Sequence, residues 1–165
     1  MMELHGSIHR FPKEIELTIL AFVTLLSIGF FGGLSFVNKT TEMKPSGIET
    51  NYLGNENDEL ATVMKFKKNE QEMLTIVHNH ILSMSVIFFL MSLLLATTSI
   101  NKKLKYFLMF EPFLSVILTF GGIYVLWKGF LWFKYIVLLS GILMTSTFAV
   151  SVLIIWHQIL FSKKY

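Results

Sequence analysis

Four ionisable side chains stand inside long apolar runs of this 165-residue chain: His78, His80, Glu111 and His157. A charged group at mid-bilayer costs about 2.5–3.5 kcal/mol on insertion scales, so such groups are functional candidates by default. A neutral imidazole is a good haem or metal ligand, and helical bundles commonly hold cofactors between facing helices. A carboxyl beside a histidine is a means of moving protons. Three chemistries are therefore open: cofactor ligation, proton or ion handling, and plain packing in a larger assembly.

His78, Ser85, Ser92 and Ser99 recur every seven residues. That spacing keeps side chains on one seam of a left-handed bundle, and small hydroxyl residues suit membrane helix interfaces. The expectation is that His78 faces inward along this seam. His80 falls about 200° further round the same helix, with Met84 and Met91. The two histidines then cannot chelate one ion on a regular helix. His78 and His80 are the candidate metal ligands, with Met84 as a further candidate haem ligand, and the cofactor implied is haem b or a transition metal. No second histidine stands opposite at matching depth, so the partner ligand is left open.

Glu111 is six residues after Lys105, and His157 is six before Lys163. Both counts run inward from one face, about 9 Å each. A Glu111–His157 pair across neighbouring antiparallel helices is expected, as a proton-handling pair. Pro112 follows Glu111 directly and removes one helical hydrogen bond, freeing the Leu108 carbonyl. Ser115, Thr119 and Gly122 fall on the same side as Glu111. Ser140, Met144, Thr147, Ser151 and Gln158 form a second polar row.

The elements that must position these groups are membrane spans. Hydrophobic residues make up 53% of the chain and charged ones 15%, with a mean hydropathy of +0.61. That excludes both a water-soluble globule and a disordered chain. A bilayer core of about 30 Å needs roughly 20 apolar residues. Four stretches qualify, at about 15–37, 74–100, 104–127 and 133–160. The fold expected is all-α, a four-helix transmembrane bundle forming a single membrane domain over residues 1–165. The first run is too long for a signal peptide, and no small-residue cleavage site follows it.

Arg10 and Lys13, then Lys102, Lys103 and Lys105, then Lys163 and Lys164 fall on one side of four crossings. The positive-inside rule places both termini in the cytoplasm. Lysine over arginine, with much Phe, Ile and Asn, points to a bacterial cytoplasmic membrane. The outer loop, 38–73, reads as irregular over 40–57 and helical over 58–73, with a cap near Asn57 or Asp58. Gly29 and Gly33 form a G-x-x-x-G, read as tight packing within the bundle.

There is no cysteine, which excludes disulfides, thiolate metal sites and cysteine-held iron–sulfur clusters. No Walker loop, G-x-S-x-G or H-E-x-x-H is present, so an enzyme is not the favoured reading. The net charge of +3 orients loops and is not a nucleic-acid footprint. The partners expected are the lipid bilayer and either other membrane subunits or further copies of the chain. The first functional reading is a small membrane subunit, haem- or metal-binding and redox-linked through His78 or His80. A structural or assembly subunit without its own cofactor ranks beside it. Proton or ion handling comes third.

Overall fold

A computed structural model describes residues 5–161, all-α with four membrane-length helices. Lys163 and Lys164, used above for orientation, lie outside the described residues. The first span is α1 (Lys13–Thr41). A short helix, α2 (Pro45–Leu53), follows it. The second span is α3 (Glu70–Thr97). The third is built of α4 (Lys102–Val116), a π-helical turn (Ile117–Gly121) and α5 (Gly122–Trp127). The fourth is α6 (Phe133–Phe161).

The third span packs against both α3 and α6, and these three spans hold most of the buried core. Phe88, Met91, Leu95, Leu108, Val116, Leu126, Phe148, Val152 and Ile155 fill it. α1 is an outrigger. It packs on α2 and α6, and most of its length is exposed. Phe30 of α1 is stacked on Phe148 with ring centres 3.9 Å apart. A lipid-facing helix need not bury apolar surface, because lipid tails are as apolar as leucine.

The outer loop differs from expectation in both halves. Residues 45–53 are helical, because Pro45 occupies the first turn, where its missing N–H is no loss. Residues 54–69 are irregular but tied down. Asn55 accepts from the Lys65 amide at 2.6 Å, Glu56 accepts from the Lys67 amide at 2.8 Å, and the Lys68 amide reaches the Tyr52 carbonyl at 3.2 Å. α3 is capped at Asn69 with a reciprocal Glu72 contact, a capping box, well past Asn57 and Asp58. The Trp127 indole donates to the Lys68 carbonyl at 2.8 Å, and Lys134 pairs with Glu49 at 2.6 Å. These two links fasten the loop and α2 as a cap over the outer ends of α5 and α6.

The opposite end is closed by the N-terminal turn Ser7–Arg10. Ile8 is fully buried there. The Gly6 amide donates to the Thr98 carbonyl at 3.3 Å, and His9 bonds the Ser99 hydroxyl at 3.0 Å. Gln158 of α6 accepts from the amide and the hydroxyl of Ser99. The Lys105 ammonium donates to the carbonyls of Ala96 and Thr98, neutralising the negative end of α3.

Candidate functional site

The buried groove between α3, α4 and α6 holds one carboxyl. Glu111 is buried on the inner face of α4. The Ser115 hydroxyl, one turn on, donates to its Oε1. Its Oε2 is buried with no hydrogen-bond partner among the described residues. Buried polar atoms are nearly always satisfied, so an orphaned carboxyl oxygen in a membrane span calls for an explanation.

The helix around Glu111 departs from regular geometry. Pro112 has no N–H, so the Leu108 carbonyl lacks its usual donor four residues on. The Ser92 hydroxyl of α3 reaches across to the next carbonyl, Met109, at 3.1 Å. Five residues after Pro112 the chain enters the π turn Ile117–Gly121. Single π turns inside α-helices are frequent at functional sites. Thr119 lies within that turn, and its hydroxyl meets that of Ser140 in α6 at 2.8 Å. Glu111, Ser115, Thr119 and Ser140 thus form a buried polar row running from the α4 end towards the cap. The remaining hydroxyls of α6 turn back on their own helix: Thr147 bonds Leu143 and Ser151 bonds Thr147.

His80 sits near the cap end of this row. Its ring is half-buried and stacked on Phe120 of the π turn, centres 4.7 Å apart. Its Nδ1 lies 2.7 Å from the Ile76 carbonyl. A carbonyl only accepts, so Nδ1 carries the proton, and the neutral ring keeps its lone pair on Nε2. Met84 is half-buried one turn further along the same helix face.

His78 is not inside. It is exposed on the flank of α3, and no side-chain bond holds it among the described residues. The heptad of hydroxyl residues misleads because the bundle closes over the stripe Met73, His80, Met84, Met91 and Leu95 instead. Of the expected seam, Ser92 alone is buried. The two histidines do sit on opposite faces, as the helical count requires.

Glu111 and His157 are not brought together. His157 is exposed on α6 with its ring against Phe161, and no bond joins it to Glu111. Depth alone suggested the pair, while azimuth separates them. The inward row of α6 is Ser140, Met144, Thr147, Ser151, Ile155 and Gln158, and His157 is about 100° off it. Among the described residues no group of three or more His, Asp or Glu side chains could hold a metal ion. Gly29 and Gly33 also differ from expectation: a Cβ at either would meet nothing within 4 Å, so no helix packs on them.

Electrostatics are concentrated in the cap, outside the spans. The Lys67 N–H holds the Glu56 carboxyl below the usual carboxylate range. Burial pushes the Tyr52 hydroxyl up. A hydrogen bond to Glu70 raises Lys128, whose ammonium also lies 4.7 Å from the centre of the Trp127 ring.

A family model described as a transmembrane helical domain matches residues 42–165. Comparisons with curated proteins and with solved structures found no match.

Proposed function

Because the chain belongs to this family of transmembrane helical domains, we propose that it is an integral membrane protein that handles protons or small cations through Glu111. The observation that carries this reading is the orphaned, buried Oε2. A carboxyl there can take up and release a proton, or accept a cation, without first breaking a bond. Ser115 orients it by holding Oε1. The freed Leu108 carbonyl and the π turn supply a backbone able to shift locally. Thr119, Ser140 and His80 extend the polar row outward. Ser115 and Thr119 are not directly bonded, and neither are Ser140 and His80. A proton passing along the row therefore needs bridging water at those steps. The basic clusters favour a cytoplasmic side for both termini in this reading.

Purified protein in liposomes with a trapped pH dye tests it. An imposed pH or sodium gradient is expected to drive flux that Glu111→Gln abolishes and Leu139→Ala, on the lipid face of α6, does not. No flux above empty vesicles would overturn the reading.

A second reading is supported by His80. A ligating histidine commonly donates its other N–H to a backbone carbonyl, as His80 does to Ile76. Haem b or a transition metal would then be held by His80, with Met84 on the same face and His78 reaching only a group outside the bundle. Oxidised and dithionite-reduced absorption spectra, with metal analysis, decide it. A Soret band lost in His80→Ala supports it, and the absence of both band and metal sinks it.

A further inference from the structure

The geometry points to self-association of this protein through the outward face of α3, with Asn79 paired to Asn79 of a second copy. The inference does not depend on Glu111 or on any cofactor. Thr75, Asn79, Leu82, Val86, Phe89 and Leu93 are spaced four, three, four, three and four residues apart. All six are exposed. That alternation is the seam of a left-handed helix pair, with Asn79, Val86 and Leu93 in one set and Thr75, Leu82 and Phe89 in the other. Exposed leucine and phenylalanine prove nothing in a lipid-facing helix. An exposed asparagine does carry weight.

The length of one bilayer crossing sets the depth of Asn79. The Ala96 carbonyl, held by Lys105, marks the opposite boundary. About 20 residues up from there, the length of a bilayer crossing, reaches Ile76. Asn79 falls inside that level. Its side-chain amide has no hydrogen bond among the described residues, since Ser83 bonds only its main-chain carbonyl. The exposed hydroxyls of Thr75 and Ser83 are satisfied by their own helix. An amide left open to lipid lacks partners that water would otherwise supply.

The amide also selects its occupant. It is donor and acceptor at once, so two copies related by a twofold axis satisfy each other with a reciprocal pair. A single asparagine in such a seam fixes register and oligomer state. The neighbouring His78 ring, also exposed and without a hydrogen bond among the described residues, can likewise both donate and accept beside the seam. Above Thr75 the seam reaches Glu72, whose carboxylate is turned back onto the Asn69 amide, away from a facing copy.

The chain has no cysteine, so single cysteines can be read without background. Asn79→Cys, Leu82→Cys and Val86→Cys are expected to form oxidative cross-links of twice the chain mass in native membranes. Leu139→Cys and Ile142→Cys, both exposed on α6, are expected not to. In a paired measurement, energy transfer between labelled copies in liposomes reports the association constant. Asn79→Leu should weaken association about 8- to 300-fold, the range for the two interhelical hydrogen bonds of a reciprocal pair, and Asn79→Gln should retain most of it. Uniform cross-linking across all five positions, cross-links to a chain of different mass, or transfer unchanged by Asn79→Leu would each overturn the proposal. The Asn79 side chain is exposed and makes no hydrogen bond among the described residues, so these substitutions are expected to leave the bundle intact, which its helical circular dichroism checks.

Discussion

The hydroxyls of Thr119 and Ser140 lie 2.8 Å apart where the π turn of the third span meets α6. Ser140 also bonds the Ile136 carbonyl at 2.8 Å. Its single proton goes there, since a carbonyl only accepts, so Thr119 donates to Ser140. A double-mutant cycle with Thr119→Val and Ser140→Ala should give a coupling of about 0.6 kcal/mol, with roughly 1.7 as the upper bound for membrane hydrogen bonds. Detergent unfolding followed by circular dichroism measures it. A coupling of zero would mean the π turn is held by its backbone alone.

Glu111 should be worth more to function than to folding. Replacing a buried, half-satisfied polar group with an apolar one of similar volume is often neutral or stabilising. Glu111→Met is therefore expected to leave the melting temperature in detergent unchanged or higher, while flux is lost. A large fall in melting temperature would identify Glu111 as a structural residue.

Gly47 is required by the elbow between α1 and α2. Glu42 and Met43 both take left-handed backbone angles there. A Cβ on residue 47 would overlap the Thr41 carbonyl, whose carbon would be 2.6 Å away. Gly47→Ala should cost about 1–3 kcal/mol, the range for overpacking. Gly32→Ala meets nothing and should be tolerated. Equal melting temperatures for the two variants would contradict the elbow geometry.

The cap should loosen in acid. The Lys67 N–H keeps the Glu56 carboxyl ionised to lower pH in the folded cap than in an unfolded one. The contribution is then complete above the usual carboxylate range and is lost as pH falls through the lowered value. Hydrogen exchange at the Lys67 amide, corrected for intrinsic rate, should speed up below that range. Glu56→Gln should flatten the dependence.

The four spans were legible because the bilayer converts length and apolarity directly into structure. The signal in residues 13–41 or 133–161 hardly depends on neighbours. The outer loop was not legible. Pro45 reads as a breaker until it is known to begin a helix, and residues 58–69 carry helix formers that tertiary bonds to Asn55, Glu56 and Tyr52 hold irregular. In the site, depth could be counted but azimuth depended on which stripe the bundle chose. Glu111 with Ser115 followed from the four-residue spacing. His78 was misplaced by two residues, about half a turn from the inward His80, and His157 by one, beside the inward Gln158. The row from Ser140 to Gln158 already held the information that His157 stands outside it. The π turn has no sequence signature.

The family match begins at residue 42, directly after α1 ends at Thr41. The matched segment holds the cap and three spans, and an odd number of crossings leaves the two ends of such a segment on opposite faces of the membrane. Adding α1 changes the parity. It returns the start of the chain to the face where α3, α4 and the far end of α6 meet. Only with that return can Gly6 and His9 reach Thr98 and Ser99, which Gln158 holds from the other side. The lightly packed first helix thus acts as a carrier, delivering a plug for the corner that the three-span unit alone would leave open.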